Sequence, residues 1–292
     1  MASKLQRSLR KKASVSSYAK INLILKIVGK YPDNFHKIET IFSLVNLADT
    51  ITFQLTEKPN VNVLTNIGYL DGENNIVHKV ASFMMNKFKP HYGIDIYIDK
   101  HIPIAAGLGG GSSNAAYTIL TLNDIWELEI EDVELHTIAA MFGSDLNFFL
   151  SRYKSALGTG RGERIEEIPE FKWDNILLVN PGTQISAKEG YSLFCESEQP
   201  DNSKSLNRLS LKSLCNDLEP GVRKEYVEVD TLLKDLDKCG SAKSIMSGSG
   251  ATCIGFFEDE KLMHEAAERF RASNYWVCET STINGDKQCI QE

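Results

Sequence analysis

Apolar side chains between residues 13 and 28 recur at almost every second position. Ile21, Leu23, Leu25 and Ile27 alternate with Asn22, Ile24 and Lys26, a period that predicts an extended strand. Tyr31-Pro32-Asp33-Asn34 then supplies turn chemistry. Ile51, Phe53 and Leu55 alternate with Thr52, Gln54 and Thr56, and Val61 and Val63 resume the pattern after Pro59-Asn60, as in a hairpin. Over residues 74–88 the period changes, and Ile76, Val80, Phe83, Met84 and Phe88 share one face of an amphipathic helix. Ile94, Ile96 and Ile98 mark the next strand, which runs through Pro103 into a glycine-rich loop and a helix expected from about Ser112 to Trp126. A helix over residues 131–142 precedes a break at Gly143-Ser144-Asp145 and a short apolar helix. Gly158, Gly160 and Gly162 read as a turn.

A second half begins near Pro169 with a short buried strand, Ile176–Val179. Helices are expected at 186–196 and 223–238. Ser244–Met246 leads into Ser247-Gly248-Ser249-Gly250 and a strand at 252–257, and a helix at 260–272 presents Leu262, Ala266 and Phe270. Strands and helices mix without strict alternation, which predicts an α+β fold in two lobes, residues 13–168 and 169–292, behind a basic tail at 1–12.

The length of 292 residues is ample for a buried core. A net charge of −7 disfavours a broad nucleic-acid surface, because phosphate backbones need clustered cations. No apolar run approaches the roughly 18–20 residues that span a bilayer. The basic start (Lys4, Arg7, Arg10, Lys11, Lys12) lacks the apolar stretch of a secretory signal. Six scattered cysteines form no Cys-x-x-Cys pair, which argues against structural zinc and for reduced thiols. The expectation is a cytoplasmic enzyme with no membrane partner.

The chemistry concentrates in Pro103-Ile104-Ala105-Ala106-Gly107-Leu108-Gly109-Gly110-Gly111-Ser112-Ser113-Asn114. Consecutive glycines let the backbone approach something bulky. Their amides, followed by a helix N-terminus, make an anion cradle suited to phosphate. Ser112 or Ser113 is a candidate cap for that helix. No Gly-Lys-Ser/Thr follows, so this is not a P-loop, and Ser112 stands where a dinucleotide fingerprint needs its third glycine. On the residues alone, Asp145 reads either as the cap of the helix after it or as a proton acceptor. Lys20 reads either as a solvated lysine or as a cationic partner, and Asn22 shares its face if the strand is regular. Phe35-His36 reads as ordinary packing or as a base-stacking pair. Lys100 reads as a surface charge or a nucleotide contact.

Taken together, these segments resemble the GHMP kinases (galactose, homoserine, mevalonate and phosphomevalonate kinases). Their second motif has the form Pro-x-x-x-Gly-Leu-Gly-Ser-Ser-Ala-Ala. Ala19-Lys20-Ile21-Asn22-Leu23, Phe35-His36-Lys37-Ile38-Glu39-Thr40, Gly143-Ser144-Asp145 and Met246-Ser247-Gly248-Ser249-Gly250-Ala251 resemble further family segments, in order along the chain. The expanded glycine loop is similar to the branch whose acceptor is cytidine diphosphate methylerythritol, phosphorylated at its 2-hydroxyl in non-mevalonate isoprenoid synthesis. The resemblance implies an N-terminal ATP-binding lobe, a C-terminal α/β sandwich lobe and an active site between them. It implies Asp145 as general base with Lys20 as its partner. It assigns Lys100, Pro103, Ala106, Gly107, Leu108, Gly109, Gly110, Gly111, Ser112 and Ser113 to ATP, and Asn22, Phe35, His36 and Gly248 to the acceptor. Mg²⁺ is expected with ATP, with Ser113 as the one candidate ligand, and the assembly as a monomer or weak homodimer. The sequence departs from the family pattern at Asn34 (commonly Gly), Phe35 (commonly Tyr), Asn147 (usually Pro) and Ser186-Ala187-Lys188 (more proline-rich).

Overall fold

The period-two alternation becomes β1 (Lys12–Lys30), which runs antiparallel to β2 (His36–Thr56) from Lys12↔Gln54 to Lys30↔His36. These elements belong to a computed structural model that describes residues 12–194, 209–283 and 290–291. Of the basic tail, Lys12 opens β1, and residues 1–11 lie outside the described residues. Register shifts at Tyr18/Lys20, Asn22/Ile24 and Ile27/Gly29 interrupt the β1–β2 ladder. Both faces of mid-β1 are covered, so Ala19 to Leu25 are buried whichever way they point, Lys20 and Asn22 included.

The expected hairpin at Pro59-Asn60 does not form. β3 (Val61–Thr65) lies parallel to β4 (Gly93–Asp99), and β4 inserts between β3 and β2. A parallel pair needs a crossover, and α1 (Ile76–Phe88) supplies it, capped by Asn75 and burying Val77, Val80, Ala81 and Met84. The alternation marks the strands but not their partners. Nor do the three glycines form one turn, because Gly158 and Gly160 belong to β5 (Ser155–Gly160), which pairs with β2 and with β6 (Arg164–Glu167). A side chain at Gly158 would come within 2.6 Å of the Phe42 ring, so glycine lets Phe42 lie across the strand. α2 (Gly110–Ile125), α3 (Asp132–Phe142) and α4 (Leu146–Leu150) join α1 over this sheet around Phe42, Phe53, Ile96, Ile119 and Phe148.

The second sheet is antiparallel, in the order β11 (Trp276–Thr280), β7 (Ile176–Asn180), β10 (Cys253–Phe256), β9 (Lys243–Met246). With it come α5 (Ala187–Ser192), α6 (Glu219–Glu225), α7 (Val227–Lys238) and α8 (Glu260–Ala272). The helix expected at 223–238 is two helices, broken at Tyr226, whose backbone is extended at φ −111° and ψ 91°. α8 buries Met263, Ala266, Ala267 and Phe270, a three–four spacing, whereas Leu262, one position off that stripe, is 40% exposed. Two late segments, β8 (Cys215–Asn216) and β12 (Ile290–Gln291), return to pair with β1. Between the sheets lie Ile21, Leu23, Ile41, Leu178, Ile245, Ile254 and Phe256. Cys215, Cys239, Cys253 and Cys278 are free thiols, while Cys195 and Cys289 fall outside the described residues. Among the described residues no helix is long and apolar enough to cross a membrane.

Candidate active site

α2 begins at Gly110, not Ser112, and its N-cap is Gly109 in the left-handed region at φ 69°. Neither serine caps the helix. Ser113 N already donates to Gly109 O (2.8 Å), and the buried Ser113 hydroxyl donates to Tyr18 O (2.6 Å) and pairs with Ser17 (2.7 Å). That hydroxyl, the one candidate metal ligand, is therefore held by β1. The first-turn amides of Gly110, Gly111 and Ser112 have no acceptor within the helix and lie at its positive end. Gly107 stands at φ 75°, where a Cβ would lie 2.0 Å from Ser247 O. A Cβ at Gly109 would press on the Lys20 stem and Phe149 at 3.0–3.1 Å. Pro103 is half-buried, and Ala106 and Leu108 are buried. Leu108 O accepts from Lys20 N (3.0 Å) and Ala106 O from Thr252 N (3.4 Å).

Lys100 is not a free surface charge. Its ammonium pairs with the fully buried Asp49 carboxylate and donates to Asn114 Oδ1 (3.0 Å). Asp49 also accepts from the amides of His101 (2.7 Å) and Ile102 (2.8 Å) and from Asn114 Nδ2 (2.9 Å). This knot secures the loop's entry to the first turns of α2. Sequence reasoning passed over Asp49, a lone aspartate inside a strand, and nothing local could have flagged it.

Lys20 is only 4% exposed, with Nζ 3.6 Å from Asp145 Oδ2. Lys20 also donates to Asn22 Oδ1 and to Gly107 O (3.1 Å). Burial pushes the Lys20 pKa below its ordinary value, and the Asp145 charge opposes that shift. Asp145 occupies the N-cap position of α4 but makes no capping bond. Asn22 Nδ2 donates to Thr40 Oγ1 (2.7 Å), whose hydroxyl donates to Ile24 O (2.7 Å). The second glycine loop closes the other side. Ser247 Oγ donates to Gly107 O (3.0 Å) and accepts from Asn22 N (3.4 Å). Gly248 stands at φ 56°, and a Cβ there would be 3.2 Å from Asn22 Oδ1. Asn216 Nδ2 holds that loop through Met246 O (2.8 Å) and Gly248 O (2.7 Å). Lys20, Asn22, Asp145, Gly107 and Gly248 thus meet at one place. Thr40, Ser247 and Asn216 join them without having been assigned roles from the sequence.

The departures from the family pattern acquire local reasons. Asn34 stands at φ 70°, a conformation that asparagine tolerates better than most residues. Asn147 is buried, donates to Glu163 O (3.0 Å) and bonds His136 (3.2 Å), anchoring α4 through a side chain. Phe35 is 57% exposed, whereas His36 stacks on Tyr191 (5.4 Å, 19°) and meets the Phe194 edge (5.6 Å, 78°). Burial and then the Asp145 charge raise the Tyr191 hydroxyl pKa, so this aromatic wall stands within electrostatic reach of the carboxylate. Tyr191 and Phe194 follow the divergent Ser186-Ala187-Lys188 run, and neither was assigned a role from the sequence. Among the described residues there is no group of three or more His, Cys, Asp or Glu able to hold a metal ion.

Residues 75–151 match the GHMP kinases N terminal domain, and residues 196–275 match the GHMP kinases C terminal domain. The 4-diphosphocytidyl-2-C-methyl-D-erythritol kinase of Citrifermentans bemidjiense is 36% identical over 94% of this chain and 100% of its own length. That of Chloroherpeton thalassium is 34% identical over 88% of this chain and 94% of its own. A crystal structure of 4-(cytidine 5'-diphospho)-2C-methyl-D-erythritol kinase superposes with a TM-score of 0.77 at 25% identity, over 93% of this chain and 100% of that one. Matching relatives over nearly its full length and superposing on a solved structure of the same kinase, the chain belongs to the 4-diphosphocytidyl-2-C-methyl-D-erythritol kinase family of GHMP kinases.

Proposed function

We infer that the protein transfers the γ-phosphoryl group of ATP to the 2-hydroxyl of 4-diphosphocytidyl-2-C-methyl-D-erythritol. The observation that carries this reading is the Lys20–Asp145 pair at 3.6 Å, set against the glycine loop through Gly107 O. In-line transfer needs a cradle for the triphosphate and a group to take the hydroxyl proton. The free amides at the start of α2 suit the first task. Asp145 suits the second, its capping role vacant and its charge steadied by Lys20. The ammonium faces both the carboxylate and the loop, so it can also offset charge that develops on the transferring group. Asn22, held by Thr40 and adjoining Gly248, suits the acceptor alcohol, and Phe35 and His36 suit its cytidine end.

Mg²⁺ enters as part of the Mg·ATP substrate, carried by the nucleotide's own β- and γ-oxygens. ATP lies on the lobe of residues 13–168, and the lobe of 169–292 closes the acceptor side. The four free thiols fit a cytoplasmic setting. The test is ADP release from Mg·ATP with the cytidine-bearing acceptor, with a cytidine-free methylerythritol phosphate, and with galactose and mevalonate. Turnover with the first acceptor is expected to exceed the others by at least ~10³-fold in kcat/KM, the scale a site built on specific polar recognition reaches. Turnover of galactose or mevalonate alone would overturn the reading.

A further inference from the structure

The proposed acceptor has a diphosphate between its cytidine and its reacting alcohol, and one arginine outside the sites described so far reaches from a turn beside Asp145 to the Phe35 ring. Arg161 sits on the Gly160–Gly162 turn between β5 and β6. The turn abuts the catalytic end of the site, because a Cβ at Gly162 would be 3.9 Å from Asp145 Oδ1 and 3.7 Å from Ser144 Cβ. From there the side chain reaches the cytidine end. Its guanidinium carbon lies 4.3 Å from the centre of the Phe35 ring and 5.3 Å from that of Tyr31. The backbone turn is fixed, since Arg161 N donates to Glu163 Oε2 (2.6 Å). Asp33 takes Nη2, and among the described residues no other side chain accepts from this guanidinium. The group is 39% exposed, so an incoming anion need not displace packed atoms.

We propose that Arg161 binds the diphosphate of the acceptor substrate, with Asp33 and the Phe35 face holding the guanidinium plane ready. A planar guanidinium offers paired N–H donors matched to phosphate oxygens, and stacking on an aromatic ring limits the freedom it must give up on binding. This assignment rests on the reading that cytidine lies at Phe35-His36 and the alcohol at Asp145. Span decides the geometry: the turn touches the Asp145 end, and its side chain ends at Phe35. Arg161 thereby measures the distance between base and alcohol, selecting a diphosphate-linked acceptor.

The test compares binding of cytidine and of CDP to the full-length protein and to Arg161→Ala, by calorimetry, alongside steady-state kinetics. Arg161→Ala is expected to lose at least ~10-fold in CDP affinity while cytidine affinity changes less than about threefold. KM for the acceptor should rise at least ~10-fold with KM for ATP unmoved. Arg161→Lys should recover only part of the loss, because an ammonium is a point charge. Equal losses for cytidine and CDP would mean that Arg161 acts only as a prop for Phe35, and the proposal would fail. It would fail equally if CDP affinity were unchanged. A wild-type protein that binds neither cytidine nor CDP would remove the cytidine reading and this assignment with it.

Discussion

Lys20 must remain charged while losing nearly all of its water. Burial lowers its pKa and Asp145 works against that, so the ammonium is held at the cost of a narrower pH range. The sign is fixed. Lys20 is protonated below its lowered pKa, and as pH rises through that value the ammonium is lost and the support of Asp145 with it. The alkaline limb of kcat is therefore expected below 10.5, the ordinary lysine value. Arginine keeps its charge throughout the accessible range. Lys20→Arg should retain measurable turnover and lose that limb, and a limb left in place by the substitution would assign it to another group. The Lys20–Asn22 relation was legible in the sequence because a strand puts i and i+2 on one face, and the two side chains do bond each other. Thr40 was not legible. Its hydroxyl matters only because β2 pairs Thr40 with Leu25 of β1, which brings it beside Asn22.

Within the glycine loop, different glycines serve different ends, and two substitutions separate them. Gly107→Ala places a Cβ in the left-handed region and 2.0 Å from Ser247 O. The strained backbone alone costs about 1–3 kcal/mol, so a thermal melt should show a clear loss of stability. A side chain at Gly111 meets nothing closer than Ile76 Cγ2 at 3.9 Å, and the residue is exposed in the first turn of α2. Gly111→Ala should therefore keep the wild-type melting temperature yet raise KM for ATP several-fold, by setting a methyl on the phosphate cradle. If KM for ATP stayed the same, the nucleotide would not be approaching that amide. The loop was readable because three glycines have no use in a core. The helix start was misread because two serines look like caps, whereas an αL glycine ended the loop one turn earlier and left both serines inside the helix. The β3 hairpin failed for a related reason: alternation is a local signal, and strand order is not.

Seen whole, the molecule packs an eight-stranded sheet against a four-stranded one, and the two glycine loops meet where the lobes join. The mixture of period-two and helical segments was enough to predict an α+β fold in two lobes. It did not reveal that β8 and β12 return to β1, because two-residue pairings leave no periodic trace. One buried side chain ties this seam together. Asn216, adjacent to β1, donates to two carbonyls of the second loop. Asn216→Leu would leave both carbonyls unsatisfied, at about 1–3 kcal/mol. It is expected to lower the unfolding midpoint and to raise KM for the acceptor through the displaced Gly248. A variant with wild-type stability and kinetics would show that the second loop needs no such tether.

The central claim is that Asp145, steadied by Lys20, takes the proton of the attacking alcohol. The most direct measurement is turnover by Asp145→Asn, with ATP affinity determined on the same preparation. The account predicts that kcat falls at least ~10²-fold while ATP affinity stays within about threefold, the signature of a group acting on the reaction rather than on nucleotide binding. Turnover at the wild-type rate would contradict it.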